Sequence, residues 1–457
     1  MFGVPNFPVQ PPPNPPTSSR RYDREEPTSG RPRPPSYAAP RNDPSPRARR
    51  PAQSARTQRA NMNPVIPNGP ISPQTALQKY PLLLLPFEKK EIVNFPEIYF
   101  LGKQHHKIEP DPENQYNQGF DDDSHNMLLV VGNHLAYRFE IMALFGAGAF
   151  GQVIRCFDHK TKKTVAVKVI VNTEQMHEQG LIEAQILAIL NKNNSRHIVQ
   201  ARDFFIFRSH ICISFEILGM NLFELSESYD YKPLSIRSVR LYALQMYEGL
   251  ETAHRNAIVH CDIKPENVLL VPGSQSLIKV IDWGSGCFAG HQKYEYIQSR
   301  FYRAPEVMLG IDYGPPMDVW SAALVIIELL IGRPLFPGDD ELDELHMISE
   351  LLGEPPIELV KKGKRRDEFF DENFKLKENA ADRVERKPGS MCLKEIMNVN
   401  DDLLIDFLMK CLTWDQTKRI TSSQALQHPW VKSKEINLAN VQGSRYLPRL
   451  LSAKSRY

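Results

Sequence analysis

The stretch His260-Cys261-Asp262-Ile263-Lys264-Pro265-Glu266-Asn267 decides the fold of this chain, and the apolar run 268–270 follows it directly. A short loop that leads into a strand would hold Asp262, Lys264 and Asn267 at fixed separations. Phosphoryl transfer needs this layout, because an Asp accepts the proton of an attacking hydroxyl, an Asn holds a metal ion, and a Lys neutralises charge on the moving phosphate. Such a match also arises by chance, so partner motifs in the right order are needed to support it.

A glycine-rich segment lies upstream, between two strand-like runs. Residues 146–153 match G-x-G-x-x-G-x-V. Glycines let backbone N–H groups approach phosphates without a side chain in the way. The G-x-G-x-x-G pattern alone could equally mark a dinucleotide-binding turn, but the strand predicted after it, in place of a helix, counts against that alternative. The residues of this segment that we expect to contact a nucleotide are Phe145, Gly146, Ala147, Gly148, Ala149, Phe150, Gly151 and Val153.

One lysine, Lys168, ends the apolar run Val165-Ala166-Val167. An ammonium group in such a strand is costly unless anions meet it. A helix is predicted at about 173–190, and Glu183 lies beside its apolar face as the natural partner of Lys168. A purely structural ion pair is the alternative, but the order of the motifs favours a role in anchoring phosphates.

Residues 210–218 predict a buried strand that leads into a connector between two lobes, where an adenine ring would lie. Asp282 follows a predicted strand and precedes Trp283-Gly284, which is a suitable place for a ligand of Mg²⁺ between phosphates. With Asn267 it forms the predicted metal site. The further residues expected to contact the nucleotide are Ala166, Lys168, Glu183, Phe215, Glu216, Ile217, Leu218 and Leu269.

These motifs, with Ala304-Pro305-Glu306 and a partner for Glu306 at Arg419, form in this order the signature of a protein kinase. The sequence therefore predicts an α+β, bilobal protein kinase fold at 137–431, with a β-rich small lobe at 137–217 and a helical large lobe at 218–431. The charged stretch at about 354–400 is expected to be a surface insertion. The expected cofactors are ATP and Mg²⁺, with Mn²⁺ as an alternative metal. A pseudokinase scaffold would lack the Lys, the Asp or the Asn, and none is missing here.

Several segments narrow the prediction to one family. The chain has His-Cys-Asp at 260–262 in place of His-Arg-Asp, Tyr-Glu-Tyr at 294–296 followed by I-Q-S-R-F-Y-R-A-P-E, and F-E-I-L-G-M-N-L at 215–222. In these motifs it resembles the dual-specificity tyrosine-regulated kinases (DYRK family). The segments P-x-x-A-L-x-x-Y at 73–80, P-E-I-Y-F-L-G at 96–102 and G-F-D-D-D at 119–123 resemble the N-terminal accessory region of class II members. The resemblance covers about residues 70–431.

The resemblance implies an activity. Such kinases phosphorylate their own activation-loop tyrosine, here Tyr296, and then act on Ser and Thr of protein substrates with a Pro after the target and an Arg upstream of it. The phosphate on Tyr296 would meet Arg300 and Arg303. The accessory region at 71–136 would pack on the small lobe and assist the tyrosine step. Trp283 departs from the Phe usual in this family and leaves a casein-kinase-2-like enzyme as an alternative.

The ends of the chain have a different character. Residues 1–70 contain about half of the 37 prolines and are predicted to be disordered, because they cannot bury enough apolar surface to offset the loss of conformational entropy. Arg47, Arg49 and Arg50 indicate either an import or docking patch or, preferably, a solvated tail. The Pro-x-x-Pro spacings equally allow an adaptor that binds this head. The tail at 432–457 shows no pattern.

Composition limits the classes of partner and compartment. The formal net charge is +2, so the overall charge gives no case for nucleic acid or an acidic membrane. The six cysteines include no C-x-x-C pair, which favours a reducing, intracellular compartment without a zinc site. We find no secretory signal, and no apolar run reaches the ~20 residues of a membrane span. We expect a monomer that acts on protein substrates in the cytoplasm, the nucleus or both.

Two smaller features leave alternatives. The acidic run Asp121-Asp122-Asp123 predicts an exposed, solvated turn in preference to a metal site, because no rigid frame is visible around it. Cys261 and Cys287 flank the predicted metal-binding positions, so oxidation could link them. Two buried, reduced thiols are the preferred alternative.

Overall fold

The computed structural model describes residues 69–378 and 386–433. Nearly all of the predicted disordered head, most of the tail and part of the predicted insertion lie outside the described residues. The strands are β1 His134–Leu135, β2 Phe139–Gly148, β3 Gly151–Asp158, β4 Lys163–Ile170, β5 Ala201–Phe207, β6 His210–Phe215, β7 Ile258–Val259, β8 Val268–Leu270, β9 Ile278–Val280 and β10 Cys287–Phe288. The helices are α1 Pro73–Lys79, α2 Pro86–Glu91, α3 Glu174–Lys192, α4 Leu222–Ser228, α5 Ile236–Arg255, α6 Pro305–Met308, α7 Pro316–Ile331, α8 Glu341–Leu352, α9 Ile357–Val360, α10 Arg366–Phe369, α11 Leu393–Met397, α12 Asp402–Cys411, α13 Ser422–Gln427 and α14 Pro429–Lys432.

The small lobe is an antiparallel six-stranded sheet in the order β1-β2-β3-β4-β6-β5, with α3 beside it. Alternating apolar residues of β2, β3 and β4, such as Phe139, Ile154 and Val167, form its core. In β4, Lys168 lies opposite Val153 of the glycine-rich hairpin and Ile213 of β6. The sheet register therefore places this lysine beside the glycine turn.

The accessory region packs around a hydrophobic core that is separate from the core of the small-lobe sheet. Ser72 caps α1 by accepting a hydrogen bond from the Thr75 N–H at 3.1 Å. The apolar residues of this core are Ala76, Leu83, Leu84, Ile92, Ile98, Leu101 and Tyr137. Glu91 of α2 accepts hydrogen bonds from Arg208, in the β5–β6 turn, at 2.9 and 3.0 Å. The region is therefore fastened to the small lobe by charge as well as by apolar packing.

The burial of Asp121 differs from the prediction made from the sequence. The run Asp121-Asp122-Asp123 was predicted to be an exposed turn, but Asp121 is only 4% exposed, whereas Asp123 is exposed. His210, which lies 89 residues away in the chain, is within hydrogen-bonding distance of its carboxylate. A partner so distant in sequence leaves no local signal, so the prediction failed for this residue.

The large lobe is organised around α7. This helix is buried on every side, which fits its all-round apolar sequence, and it packs against α5. α5 begins after its N-cap Ser235 and ends at Arg255. No helix of the described residues is both long enough and apolar enough to cross a membrane.

The stretch at 354–400 differs from the predicted surface insertion. Leu359, Val360, Phe369 and Phe370 are buried in the same core as α7. These short apolar pairs are separated by charged residues, so neither helical nor strand periodicity revealed them. The prediction is wrong for this part of the segment, which is anchored to the lobe.

Candidate active site

Lys168 is the centre of a charge network that joins three elements. Its Nζ donates to both carboxylate oxygens of Glu183 in α3 at 2.9 Å and to Oδ1 of Asp282, after β9, at 2.8 Å. The ion pair predicted between Lys168 and Glu183 is present. Burial alone would lower the pKa of Lys168, but the Asp282 and Glu183 carboxylates raise it above its ordinary value. The lysine is therefore a fixed cation.

The segment after β9 is shaped to allow this contact. Asp282 has a left-handed backbone with φ 57°, and the Trp283 ring is fully buried with its centroid 4.6 Å from that of His260. A Cβ at Gly284 would lie 2.7 Å from the Nζ of Lys168 and 3.2 Å from a carboxylate oxygen of Glu183. A side chain at 284 would therefore displace the ammonium group of Lys168 from its present position between the two carboxylates.

The catalytic stretch brings its three predicted residues together around Asp262. The Nζ of Lys264 donates to Oδ2 of Asp262 at 2.7 Å, and Nδ2 of Asn267 donates to the Asp262 carbonyl at 2.8 Å. Ser299, from the activation segment, donates its backbone N–H and its hydroxyl to Oδ1 of Asp262 at 3.1 and 2.9 Å. Ser299 lies within the motif at 294–306, but the spacing of that motif predicts no contact with Asp262.

Asp318 fixes the backbone at the start of the catalytic stretch through hydrogen bonds. In the first turn of α7 and fully buried, it accepts hydrogen bonds from the backbone N–H groups of His260 at 2.8 Å and Cys261 at 3.0 Å. Nε2 of His260 lies 2.8 Å from the Ile281 carbonyl, next to Asp282. Asp318 was not predicted from the sequence, although an acidic residue at the start of an otherwise apolar helix was an available signal.

The glycine-rich hairpin leaves open space where it turns. A Cβ at Gly146 or Gly148 would meet no atom within 4 Å, whereas a Cβ at Gly151 would lie 2.1 Å from the Val169 carbonyl oxygen. Gly151 also has φ 137°, so packing and backbone conformation both require glycine there. Gly146 and Gly148 are not required by internal packing, and the space beside them fits phosphate groups that approach the backbone.

The connector differs in one respect from the prediction. Phe215, Ile217 and Leu218 are half-buried, as is Leu269 on β8. The Glu216 carboxylate, however, accepts hydrogen bonds from the Nζ of Lys279 at 2.5 Å and the Gln200 N–H at 2.9 Å. The side chain of Glu216 is thus committed to a link with β9, and only its backbone carbonyl is left for a nucleotide.

The activation segment presents Tyr296 to solvent. Its side chain is 63% exposed, and the guanidinium carbon of Arg303 lies 4.0 Å from its ring centroid. Arg303 donates to the carbonyls of Ile297 and Gln298 at 2.9 and 2.7 Å. Arg300 instead donates to the backbone carbonyl of Gly338 at 3.3 Å. The structure thus places one of the two predicted phosphate-binding arginines against the tyrosine.

The side-chain oxygen atoms of Asn267 and Asp282 are of the kind that a divalent cation binds. Asn267 donates a hydrogen bond from its Nδ2 to Asp262, so the Oδ1 of Asn267 is left for a metal. In Asp282, the Oδ1 atom accepts the hydrogen bond from Lys168. Amide and carboxylate oxygens are the ligands that Mg²⁺ prefers. Within 69–378 and 386–433, no group of three or more His, Cys, Asp or Glu is arranged to hold a metal ion.

Comparisons with known proteins agree with this geometry. The family model "Protein kinase domain" matches residues 139–431. The chain is 40% identical over 360 residues to dual specificity tyrosine-phosphorylation-regulated kinase 4 of Homo sapiens, covering 78% of this chain and 69% of the relative. It is 39% identical over 400 residues to kinase 3 of that name from Mus musculus, covering 82% and 68%. For the mbk-2 kinase of that name from Caenorhabditis elegans, the identity is 40% over 383 residues, covering 79% and 47%.

Proposed function

From the premise that the chain belongs to the protein kinase family and, within it, to the dual-specificity tyrosine-phosphorylation-regulated kinases, we propose how its residues perform the reaction. The enzyme uses ATP and a divalent metal, which we propose to be Mg²⁺ held by Asn267 and Asp282. Trp283 is a variation within this family, and a casein-kinase-2-like enzyme is not needed to explain it.

Each polar side chain around the cleft has a task. ATP with its metal supplies the phosphoryl group and the positive charge that stabilises it in transfer. Lys168, fixed by Glu183, holds the α and β phosphates. A carboxylate oxygen of Asp262 orients the acceptor hydroxyl and takes its proton, while Lys264 stabilises negative charge on the transferred group. Ser299 bridges these last two residues and holds them in place during the reaction.

The observation that carries this proposal is the convergence of two networks from remote parts of the chain. Lys168, Glu183 and Asp282 are joined in one, and Asp262, Lys264 and Ser299 in the other. A pseudokinase that acts only as a scaffold would not need either network to be complete. Positioning and electrostatics account for most of the rate in such a site, because little covalent chemistry is left to the protein.

The test is transfer of labelled γ-phosphate to a Ser/Thr peptide. Asp262→Asn should abolish transfer while nucleotide binding persists, because Asp262 takes no part in holding the α and β phosphates. Asp230→Asn is the matched control, since the Asp230 side chain is 86% exposed and it should leave the rate unchanged. Equal activity of Asp262→Asn and the wild type would refute the assignment.

Substrate preference is the finer part of the proposal. We assign the upstream Arg of the substrate to Glu266, which is exposed, and to Glu328 of α7, which accepts a hydrogen bond from the Tyr302 hydroxyl at 2.6 Å. Burial raises the pKa of Glu328 to about 7, and the nearby charge of Glu266 contributes to this rise. A guanidinium group between two carboxylates would relieve their repulsion. This chemistry supports a preference for Arg-containing peptides, and the preference for Pro after the target is a separate part of the proposal.

Regulation and cellular context complete the proposal. Tyr296 is the autophosphorylated tyrosine, supported by its exposure and by the arginine at its ring. The enzyme acts as a monomer in the cytoplasm, the nucleus or both, and the Pro-rich head at 1–70 binds an adaptor. Gel filtration with light scattering and recovery of partners by the isolated head test these last statements.

A further inference from the structure

Asp121 lies at the joint between the two elements that carry Lys168 and Glu183. β4 bears Lys168 and ends at Ile170, and α3 bears Glu183 and begins at Glu174. The residues between these elements are 171–173. Any shift of this joint changes the distance between the lysine and the glutamate, because each element is otherwise regular.

The Asp121 carboxylate holds both sides of the joint. Its Oδ1 lies 2.8 Å from Nε2 of His210, whose Nδ1 in turn lies 2.7 Å from the carbonyl of Ile170 at the end of β4. Its Oδ2 accepts a hydrogen bond from Nδ2 of Asn172 at 2.9 Å, two residues before α3. Asn117 donates a further hydrogen bond to Oδ1 at 2.9 Å.

The loop around Asp121 adds backbone contacts at the same place. The N–H of Asn172 donates to the His125 carbonyl at 3.0 Å, and Nε2 of Gln152 in β3 donates to the Met127 carbonyl at 2.9 Å. Thr173 then caps α3 through the Met176 N–H at 3.4 Å. The loop 117–127 thus contacts the start of α3 and the strand beside the glycine turn.

Burial makes this contact stiff. Asp121 is 4% exposed and His210 is 0% exposed, so water cannot replace a lost partner. Burial would raise the pKa of Asp121, but hydrogen bonds from His210, Asn172 and Asn117 lower it below its ordinary value. The Asp121 carboxylate is an anion that accepts several hydrogen bonds. Hydrogen bonds to a charged group are among the stronger ones that proteins form.

We propose that Asp121 is a positioning residue for phosphoryl transfer, which acts through the β4–α3 joint on the Lys168–Glu183 pair throughout turnover. The proposal rests on the proposed function. It goes beyond a role of the accessory region in the tyrosine step, because the described contacts of Asp121 lie at the joint between the elements that bear Lys168 and Glu183, and none of them reaches the activation segment.

The test is a double-mutant cycle with peptide kinetics. Asp121→Asn should lower kcat/KM for ATP by about tenfold, within the range seen for residues that couple sites through packed networks. In the Glu183→Gln background the same change should have no further effect, because the pair on which Asp121 acts is already broken. Asp123→Asn, at an exposed neighbour, is the matched control and should match the wild type in both backgrounds.

Two outcomes would overturn the proposal. One is an unchanged kcat/KM in Asp121→Asn. The other is the same fold loss in the wild-type and Glu183→Gln backgrounds, which indicates an effect independent of the pair. All variants are compared at equal phosphotyrosine content, so that incomplete maturation is not mistaken for slow turnover. If Asp121→Asn does not fold, Asn172→Ala, which removes only the arm to α3, is carried through the same cycle with the same criteria. Activity of the wild type in the same assay separates failure of this proposal from failure of the proposed function.

Discussion

The Sγ atoms of Cys261 and Cys287 lie 3.7 Å apart, and both side chains are buried. Cys287 lies in β10, and Cys261 lies in the turn after β7, the strand that pairs with β10. The pairing of these strands holds the two cysteines close together. In the structure both cysteines are buried, free thiols, which agrees with the alternative preferred from the sequence. The two thiols are also close enough to be oxidised to a disulfide.

Peroxide is expected to link these two cysteines slowly. Two thiols would lose two protons and two electrons to form one S–S bond, and peroxide would be reduced to water. Burial raises the pKa of Cys261 well above its ordinary value, so little thiolate is present and the exposed Cys392 should react first. Mass spectrometry should find a 261–287 linked peptide that is absent from Cys287→Ser. The absence of any linked peptide after prolonged exposure, long after Cys392 is fully oxidised, would end the idea.

Autophosphorylation should occur on Tyr296 and not on Tyr294. The Tyr296 side chain is 63% exposed, whereas the Tyr294 hydroxyl is buried without a hydrogen-bond partner. A buried hydroxyl cannot reach a phosphoryl donor unless the loop opens. Phosphosite mapping of purified protein should therefore show phosphotyrosine that disappears in Tyr296→Phe and persists in Tyr294→Phe. The reverse pattern would show that the loop adopts another arrangement during the reaction.

The KM for a peptide with an upstream Arg should rise as the pH falls from 8 to 6. The pKa of Glu328 is raised to about 7, so it is mostly ionised at pH 8 and mostly neutral at pH 6, where it no longer attracts the guanidinium group. A loss of about tenfold is expected for one charge-assisted contact. Glu328→Gln should have the high KM at every pH.

A peptide with Ala in place of the Arg is the control for this pH dependence. Any other effect of pH on the reaction acts on both peptides, so the ratio of their KM values isolates the contribution of Glu328. A ratio that does not change with pH, in the wild type, would place the Arg elsewhere.

Arg419→Met should destabilise the large lobe by about 3–5 kcal/mol. Arg419 makes two hydrogen bonds to the Glu306 carboxylate, at 2.6 and 2.8 Å, and neither side chain is exposed, so the change leaves a buried charge unpaired. Denaturant unfolding measures the loss. Lys410→Met, which breaks a pair with Asp406 whose side chains are about half exposed, should change stability by less than about 1 kcal/mol. Equal effects of the two changes would mean that the buried pair is not important for stability.

Much of the site followed from sequence because its residues occur in short motifs with fixed spacing. Asp262, Lys264 and Asn267 are near neighbours, so their chemistry could be predicted before their geometry was known. The pairs Lys168–Glu183 and Glu306–Arg419 could also be predicted, because a charged residue in an apolar segment must find a partner and few candidates exist.

The rest depended on partners that are remote in the chain. Asp121 looked exposed because two more acids follow it, and its burial is decided by His210 from another strand. Ser299 and Asp318 contact the catalytic stretch from 37 and 57–58 residues away, so spacing could not assign them. Glu216 was expected to face the nucleotide, and Lys279 draws its side chain elsewhere.

Gly284 also bears on the design of inhibitors against this enzyme. Any larger residue there would press a carbon atom against the ammonium group of Lys168 at 2.7 Å and so disturb the charge network. A compound whose fit depends on the bare backbone at this position would be hard to escape by substitution, since the mutation that blocks the drug would also disable the kinase. Resistance would have to arise at other contacts of the compound.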